Sequence, residues 1–181
     1  MSSIIKVNTI QDAGGNALLT SNGSGTLTTN NIGGKMTPAF YAYLSSTQSV
    51  TNGANTKVQI NTEIFDSDNA FDNSSNYRFT PQIAGKYFVY GAVCGATDGY
   101  RIYQVHAKIY KNGSNYALTS EIIQDDAFNR KTSFISTVVD MNGSSDYVEL
   151  YGLVDIHANN NETIVGSASK MTYFGAYKII T

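Results

Sequence analysis

From residue 39 to the C-terminus, apolar and polar side chains alternate with a period of two, interrupted by clusters of Gly, Asn, Asp and Ser. That is the pattern of half-buried β-strands, and no window sustains the 3.6-residue period of an amphipathic helix. The alternation predicts strands over residues 39–44, 57–61, 77–80, 86–94, 101–111, 115–123, 131–141, 147–156 and 169–180. Asn112-Gly113 and Asn142-Gly143 fall between such runs. Asn-Gly tolerates the positive φ of a type I′ turn, so both pairs predict tight hairpin turns.

Several of these strands are apolar on both faces. Over 86–94, Tyr87, Val89 and Val93 share one side while Phe88, Tyr90 and Cys94 share the other. Phe134 and Val138 oppose Ile135 and Val139 in the same way. An antiparallel strand with one wet face alternates cleanly. The second apolar face therefore needs cover, either from a sister subunit or from a segment of the same chain. The first option predicts a homo-oligomer and makes Tyr87, Phe88, Tyr90, Phe134, Val138, Tyr173 and Tyr177 candidates for its interface or for the core.

The start of the chain has another texture. Residues 1–35 contain no aromatic residue, whereas all eight Phe and thirteen Tyr lie beyond residue 38. Short alternating pieces at Ile5, Val7 and Thr9, at Ala17 and Leu19, and at Leu27 are separated by Gly-rich turns. Such strands cannot pack a sizeable core of their own. Residues 1–35 are expected to form a short β-stalk that attaches the chain to a larger assembly, and residues 36–181 a globular head, with Gly33-Gly34 as the hinge.

Composition narrows the function classes. Charged residues make up only 14% of the chain, against roughly 25% in an average domain. The net charge of −2 comes with no basic run, so nucleic acid is not an expected partner. No apolar run approaches the roughly 20 residues of a helical membrane span, and no membrane insertion is expected. The first residues lack the charged start and apolar block of a secretory signal, so any export is expected to need another route, such as release of assembled particles by lysis. Cys94 stands alone. It cannot form an intrachain disulfide and reads as a small buried apolar side chain.

One stretch carries a resemblance. Ile64-Phe65-Asp66-Ser67-Asp68-Asn69-Ala70-Phe71-Asp72 leads to Phe79, then five residues, then Gly85-Lys86-Tyr87-Phe88, and the last strand reads Tyr173-Phe174-Gly175-Ala176-Tyr177. This order resembles the complement C1q-type globular head, a relative of tumour necrosis factor, with the loop between Phe71 and Phe79 one residue longer than usual. The resemblance covers residues 38–181. It implies an all-β fold, a ten-strand jelly-roll sandwich packed as a homotrimer with both termini at the base. Animal relatives sit on a collagen stalk, but no Gly-x-y repeat is present here. Instead Ile5-Lys6-Val7-Asn8-Thr9-Ile10-Gln11, Leu18-Leu19-Thr20 and Gly25-Thr26-Leu27-Thr28 are similar to the start of small fibre and tail proteins of marine bacteriophages, cyanophages in particular. That similarity implies a virion appendage. Its partners would be itself as a homotrimer, other virion proteins through residues 1–35, and a host surface glycan or protein at the head. The alternative is a capsid decoration or head-fibre protein with a purely structural role.

Nothing in the chain carries a catalytic motif. His106 and His157 lack metal-ligand spacing to another His, Cys or carboxylate, and no nucleophile elbow, phosphate loop or dinucleotide fingerprint occurs. No catalytic residue and no cofactor are expected. Asp66, Asp68 and Asp72 are weak calcium candidates, since Asp also caps turns. If connections alternate between the ends of the sandwich, the Asn-Gly turns fall at the base. Loops 96–100, 124–130 and 157–166 then meet at the tip, with part of loop 66–76 nearby. Loops carry recognition on rigid scaffolds, so Tyr100, Phe128, Arg130, Asn159, Asn160 and Asn161 are the expected receptor-binding residues.

Overall fold

A computed structural model of the chain describes residues 7–29, 36–99, 101–123, 128–156 and 162–180. The chain divides into two compact units, Met1–Lys35 and Met36–Thr181. In the first, β1 (Thr9–Gln11), β2 (Ala17–Ser21) and β3 (Leu27–Thr29) form an antiparallel meander in that order. Its first turn is held by Asp12, whose Oδ1 accepts from the Gly14 and Asn16 amides at 2.8 and 2.9 Å. Its second is held by Asn22, which accepts from the Ser24 amide at 2.8 Å. Val7, Ile10 and Leu18 are exposed, because three strands this short enclose nothing.

The second unit contains thirteen strand segments among the described residues: β4 (Ala39–Tyr43), β5 (Gln48–Ser49), β6 (Thr56–Lys57), β7 (Thr62–Asp66), β8 (Phe71–Asp72), β9 (Arg78–Phe79), β10 (Gly85–Ala96), β11 (Ile102–Lys111), β12 (Ser114–Ile122), β13 (Arg130–Met141), β14 (Val148–Ile156), β15 (Thr163–Ile164) and β16 (Tyr173–Ile180). They form two sheets. The front sheet runs β13-β10-β16-β4-β7, with β15 continuing beside β10 and β5 beside β15. The back sheet runs β12-β11-β14-β9-β8, with β6 also on β14. The architecture is the all-β jelly-roll sandwich that the sequence implied.

The core lies between the sheets and is filled by the inward phase of each strand. Phe40, Tyr87, Val89, Val93, Ile135, Val139, Phe174 and Ala176 of the front sheet face Phe79, Val105, Ile109, Leu150 and Val154 of the back sheet. Phe40 is its aromatic centre. Its ring centroid lies 4.4 Å from Phe71, 4.7 Å from Phe79 and 5.2 Å from Phe174, distances at which offset and edge-on ring pairs attract.

Registers assign the two ends. Gly85 opposes Met141, Lys86 opposes Ile180 and Ala39 opposes Tyr177, so both termini of the head share the end where β13 finishes. At the other end Ala96 opposes both Arg130 and Thr163. Asn112-Gly113 closes the β11–β12 hairpin, with φ of 52° and 78°.

Three expectations require correction. Asn142-Gly143 is not a tight hairpin: β13 and β14 belong to different sheets, and residues 142–147 cross between them. Asn142 Oδ1 accepts there from the Ser144, Ser145 and Asp146 amides at 2.9–3.0 Å, a side-chain-capped turn. Val58 and Ile60 are fully buried as their alternation requires, but strand β6 covers only Thr56–Lys57. Loop 66–76 lies at the terminal end and not toward the tip. The Ser67 amide donates to the Ala39 carbonyl at 2.9 Å, and β9 pairs with the start of β14.

Candidate functional site

The outward phase of the front sheet is a field of aromatic rings. On β10, Phe88 and Tyr90 point away from the core that Tyr87 and Val89 enter. Their neighbours across the ladder are Tyr177 and Gly175 on β16, and then Tyr41 lies beside Gly175 on β4. Tyr173 and Tyr43 form the next row. Tyr90 is the hub, with ring centroids of Phe88, Tyr173, Tyr41 and Tyr177 at 5.9, 6.3, 6.4 and 6.5 Å. A glycine is required opposite it: a Cβ at Gly175 would stand 2.5 Å from the Tyr90 ring. The open backbone of β16 is what lets that ring lie flat across the sheet.

These rings already crowd water from one another. The Tyr90 hydroxyl is pushed above the ordinary phenol range by burial first, then by the hydroxyls of Tyr41, Tyr173 and Tyr177. Tyr41 is raised for the same reasons, burial and then Tyr173. At the flanks, Phe134 is 61% exposed and Val138 43% on edge strand β13, and Phe65 is 50% exposed on edge strand β7. Ile135 and Val139 are buried on the opposite phase of β13.

The structure thus divides the interface-or-core candidates. Tyr87 is a core residue, its Oη donating to the Ile83 carbonyl at 2.7 Å. Phe88, Tyr90, Tyr173 and Tyr177 are gathered half-buried on the outer face, and Phe134 and Val138 adjoin them through the β10–β13 register. Among the described residues, cover from within the same chain exists at one end, where Cys94 and Ala96 are packed under Val165 and Met171. Tyr41, Tyr43 and Phe65 are further members of the field. The alternation of residues 39–44 carried the signal for the first two.

At the tip, the Thr97 amide donates to the Asn129 carbonyl at 3.0 Å and the Ile102 amide to the Phe128 carbonyl at 3.1 Å. The described parts of the 96–101 and 128–130 segments therefore touch. Phe128 is 56% exposed and Arg130 is exposed beside it. Tyr100, Asn159, Asn160 and Asn161 lie outside the described residues.

The three loop aspartates are engaged within the loop itself. Asp66 accepts from the Phe71 amide at 2.7 Å, and Asp68 from the Ser67 hydroxyl. Asp72 accepts from the Ser74, Ser75 and Asn76 amides at 2.9–3.1 Å. Those amides hold its carboxyl far below the usual carboxylate range. Among the described residues no group of three His, Cys, Asp or Glu side chains is placed to hold a metal ion.

No protein-family model matches the sequence, and no curated protein sequence matches it. Solved structures do. A murine APRIL crystal structure superposes with a TM-score of 0.55 at 12% identity, over 78% of this chain and 98% of that one. The Eiger TNF of S. frugiperda gives 0.54 at 9%, over 78% and 91%. The globular domain of zebrafish complement 1qA gives 0.53 at 12%, over 78% and 97%. At such identities the likeness shows the fold alone, and the fold it shows is the TNF/C1q jelly roll.

Proposed function

We propose that the chain is a non-catalytic virion appendage of a bacteriophage, a homotrimeric fibre or tail-tip protein. Residues 1–35 attach it to the particle and the tip of the head binds a host surface receptor. The observation that carries the assembly is the ring field around Tyr90, which covers the middle of a sheet and has no covering segment among the described residues. Burying a large apolar side chain is worth roughly 1.5–3 kcal/mol, and half of that remains to be gained at each of several rings. Two sister copies supply the cover in a closed three-fold arrangement. Support for the particle comes from the N-terminal similarity and from the meander of short strands in residues 1–35. Support for the receptor comes from the exposed Phe128 and Arg130 at the end opposite the termini.

Two measurements test this reading. The mass of the full chain in solution at micromolar concentration is expected to be three times that of one chain, and a stable monomer sinks the assembly. Purified protein mixed with host cells is expected to be retained, and retention is lost when residues 96–101 and 124–130 are replaced by Gly-Ser. Retention that survives the replacement removes the tip as the receptor site. No retention at all leaves a structural decoration of the particle.

A further inference from the structure

The two sheets also end side by side on β7 and β8, and there a half-open pocket of about 580 Å³ is formed. Its size falls within the roughly 300–1,000 Å³ of small-molecule sites. Glu63 of β7 and Arg78 of β9 both line it, together with Asn69, Asn73, Thr80 and Gln82. Asp72 lines it too, but its two oxygens are occupied by the loop amides described above and by Asn76 Nδ2 at 2.7 Å. The working groups are therefore Glu63, Arg78 and the amides. Arg78 is held flat, its guanidinium 4.6 Å from the centroid of the Tyr147 ring. Neither Arg78 nor Glu63 has an ion-pair partner among the described residues. A carboxylate and a guanidinium thus share one pocket without neutralising each other.

We propose that this pocket binds an acidic saccharide, with Arg78 taking the sugar carboxylate and Glu63, Asn69, Asn73 and Gln82 taking ring hydroxyls. A planar guanidinium matches a carboxylate through two parallel hydrogen bonds. A sugar hydroxyl both donates and accepts, and side-chain amides offer both in return. Gln82 Nε2 is already committed to the Thr80 and Ser144 carbonyls at 3.1 and 3.4 Å, which fixes its Oε1 as the free acceptor. The Glu63 carboxyl is raised above its ordinary value, by burial and then by Asp66. A carboxylate in a partly enclosed pocket gains from accepting sugar hydroxyls. One chain builds the whole pocket, so the inference does not depend on the trimer or on the virion.

Titration of the full chain with trigalacturonate, followed by calorimetry, tests it. Saturable binding is expected, with maltotriose, a neutral sugar of equal length, at least about tenfold weaker, a difference of roughly 1.4 kcal/mol. Arg78→Lys is expected to weaken trigalacturonate about tenfold while the unfolding midpoint holds. Asn73→Asp places a negative charge in the pocket at a loop side chain and is expected to weaken it as well, and it decides the matter if Arg78→Lys unfolds. No saturable binding overturns the proposal. So does binding that both variants leave unchanged, or displacement of the sugar by equimolar inorganic phosphate, which would mark a bare cation site. A monomeric chain that binds trigalacturonate sinks the assembly and keeps this pocket.

Discussion

On the outer face of the back sheet, Lys57 Nζ meets Glu149 at 2.5 Å, Lys108 donates to Asn55, and Gln104 Nε2 donates to Asp155 at 2.8 Å. Tyr110 stacks on Tyr151 at 4.0 Å. On the outer face of the front sheet the same alternation presents Tyr41, Tyr43, Phe88, Tyr90, Tyr173 and Tyr177. The backbones are alike and the chemistry is not. These polar groups of the back face are paired within one chain, with Lys108 and Glu149 buried, and the exposed Leu118 and Ile122 sit on edge strand β12. Stacked rings gain further by losing water, which is why the proposed trimer contact is put on the front face. The contrast between ringed and polar faces is the physical basis of the proposed assembly.

The sharpest way to break that comparison is to put one charge on each face. Tyr90→Asp places a carboxylate at the hub of the rings. Burying it unpaired costs several kcal/mol, on the order of the whole gain from association, and the change is repeated in every copy. The expected result is loss of the trimer at micromolar concentration, read by light scattering. Tyr110→Asp on the back face is expected to leave the mass unchanged. Equal behaviour of the two variants breaks the distinction between the faces.

A second pair sharpens it by separating core from surface. Phe40→Ala removes the ring that Phe71, Phe79 and Phe174 pack against, and a cost of about 3–5 kcal/mol is expected. Phe134→Ala, on the exposed flank, is expected to cost within about 0.5 kcal/mol in the monomeric Tyr90→Asp background. It is expected to cost more in the assembling protein. Urea unfolding of the four combinations checks this, and a Phe134 effect that is the same in both backgrounds removes β13 from the interface.

Much of this is legible in the residue order alone. The two phases of β10 and of β13 follow directly from the spacing of Tyr87, Phe88, Phe134 and Ile135, because a strand has only two faces to assign. Other features are hidden because local chemistry is degenerate. Asn-Gly at 112–113 and at 142–143 reads identically, yet the first closes a hairpin and the second caps a crossing between sheets. Which occurs depends on whether the flanking strands pair, a long-range fact. Loop 66–76 departs from strict alternation of ends because the two-residue strands β8 and β9 reverse direction without traversing the sandwich. The pocket is invisible in the sequence for the same reason. Glu63 and Arg78 are fifteen positions apart, on strands of different sheets, and no spacing rule joins them.

A third comparison sets the inner phase of β10 against its outer phase by pH. Tyr87 Oη is buried against the Ile83 carbonyl, and its ionisation is pushed up to about 12, by burial first and then by the charge of Asp68. The folded state keeps this proton more tightly than the unfolded chain, whose tyrosines titrate near 10. Its contribution is therefore complete below pH 10 and is lost as pH rises toward 12, on the order of 2–3 kcal/mol over that window. Unfolding midpoints measured from pH 9 to 12 are expected to fall less steeply in Tyr87→Phe than in the parent chain. Parallel curves would show that the outer rings alone carry the alkaline sensitivity.

The smallest expected effect belongs to the polar back face. His106 Nε2 lies 3.0 Å from Gln104 Oε1 and 2.8 Å from Ser120 Oγ, while its Nδ1 is buried with no hydrogen-bond partner among the described residues. Gln104 Nε2 is committed to Asp155, so its Oε1 faces the ring and assigns the proton to Nε2. A second proton would sit on Nδ1 with no acceptor. Burial lowers the affinity of the ring for that proton, the Lys108 charge lowers it further, and Asp155 only partly offsets both. The folded state thus holds the imidazole neutral below the pH at which the unfolded chain protonates it, about 6.5. The contribution of His106 is expected to be flat above pH 7 and to make stability decline as pH falls through 6.5. His106→Asn is expected to remove that decline between pH 7 and 5, since an amide has no proton to take up there. Thermal midpoints of the two proteins would then converge with acid, and a difference that stays constant across the window would mean that Nδ1 finds an acceptor when it is charged.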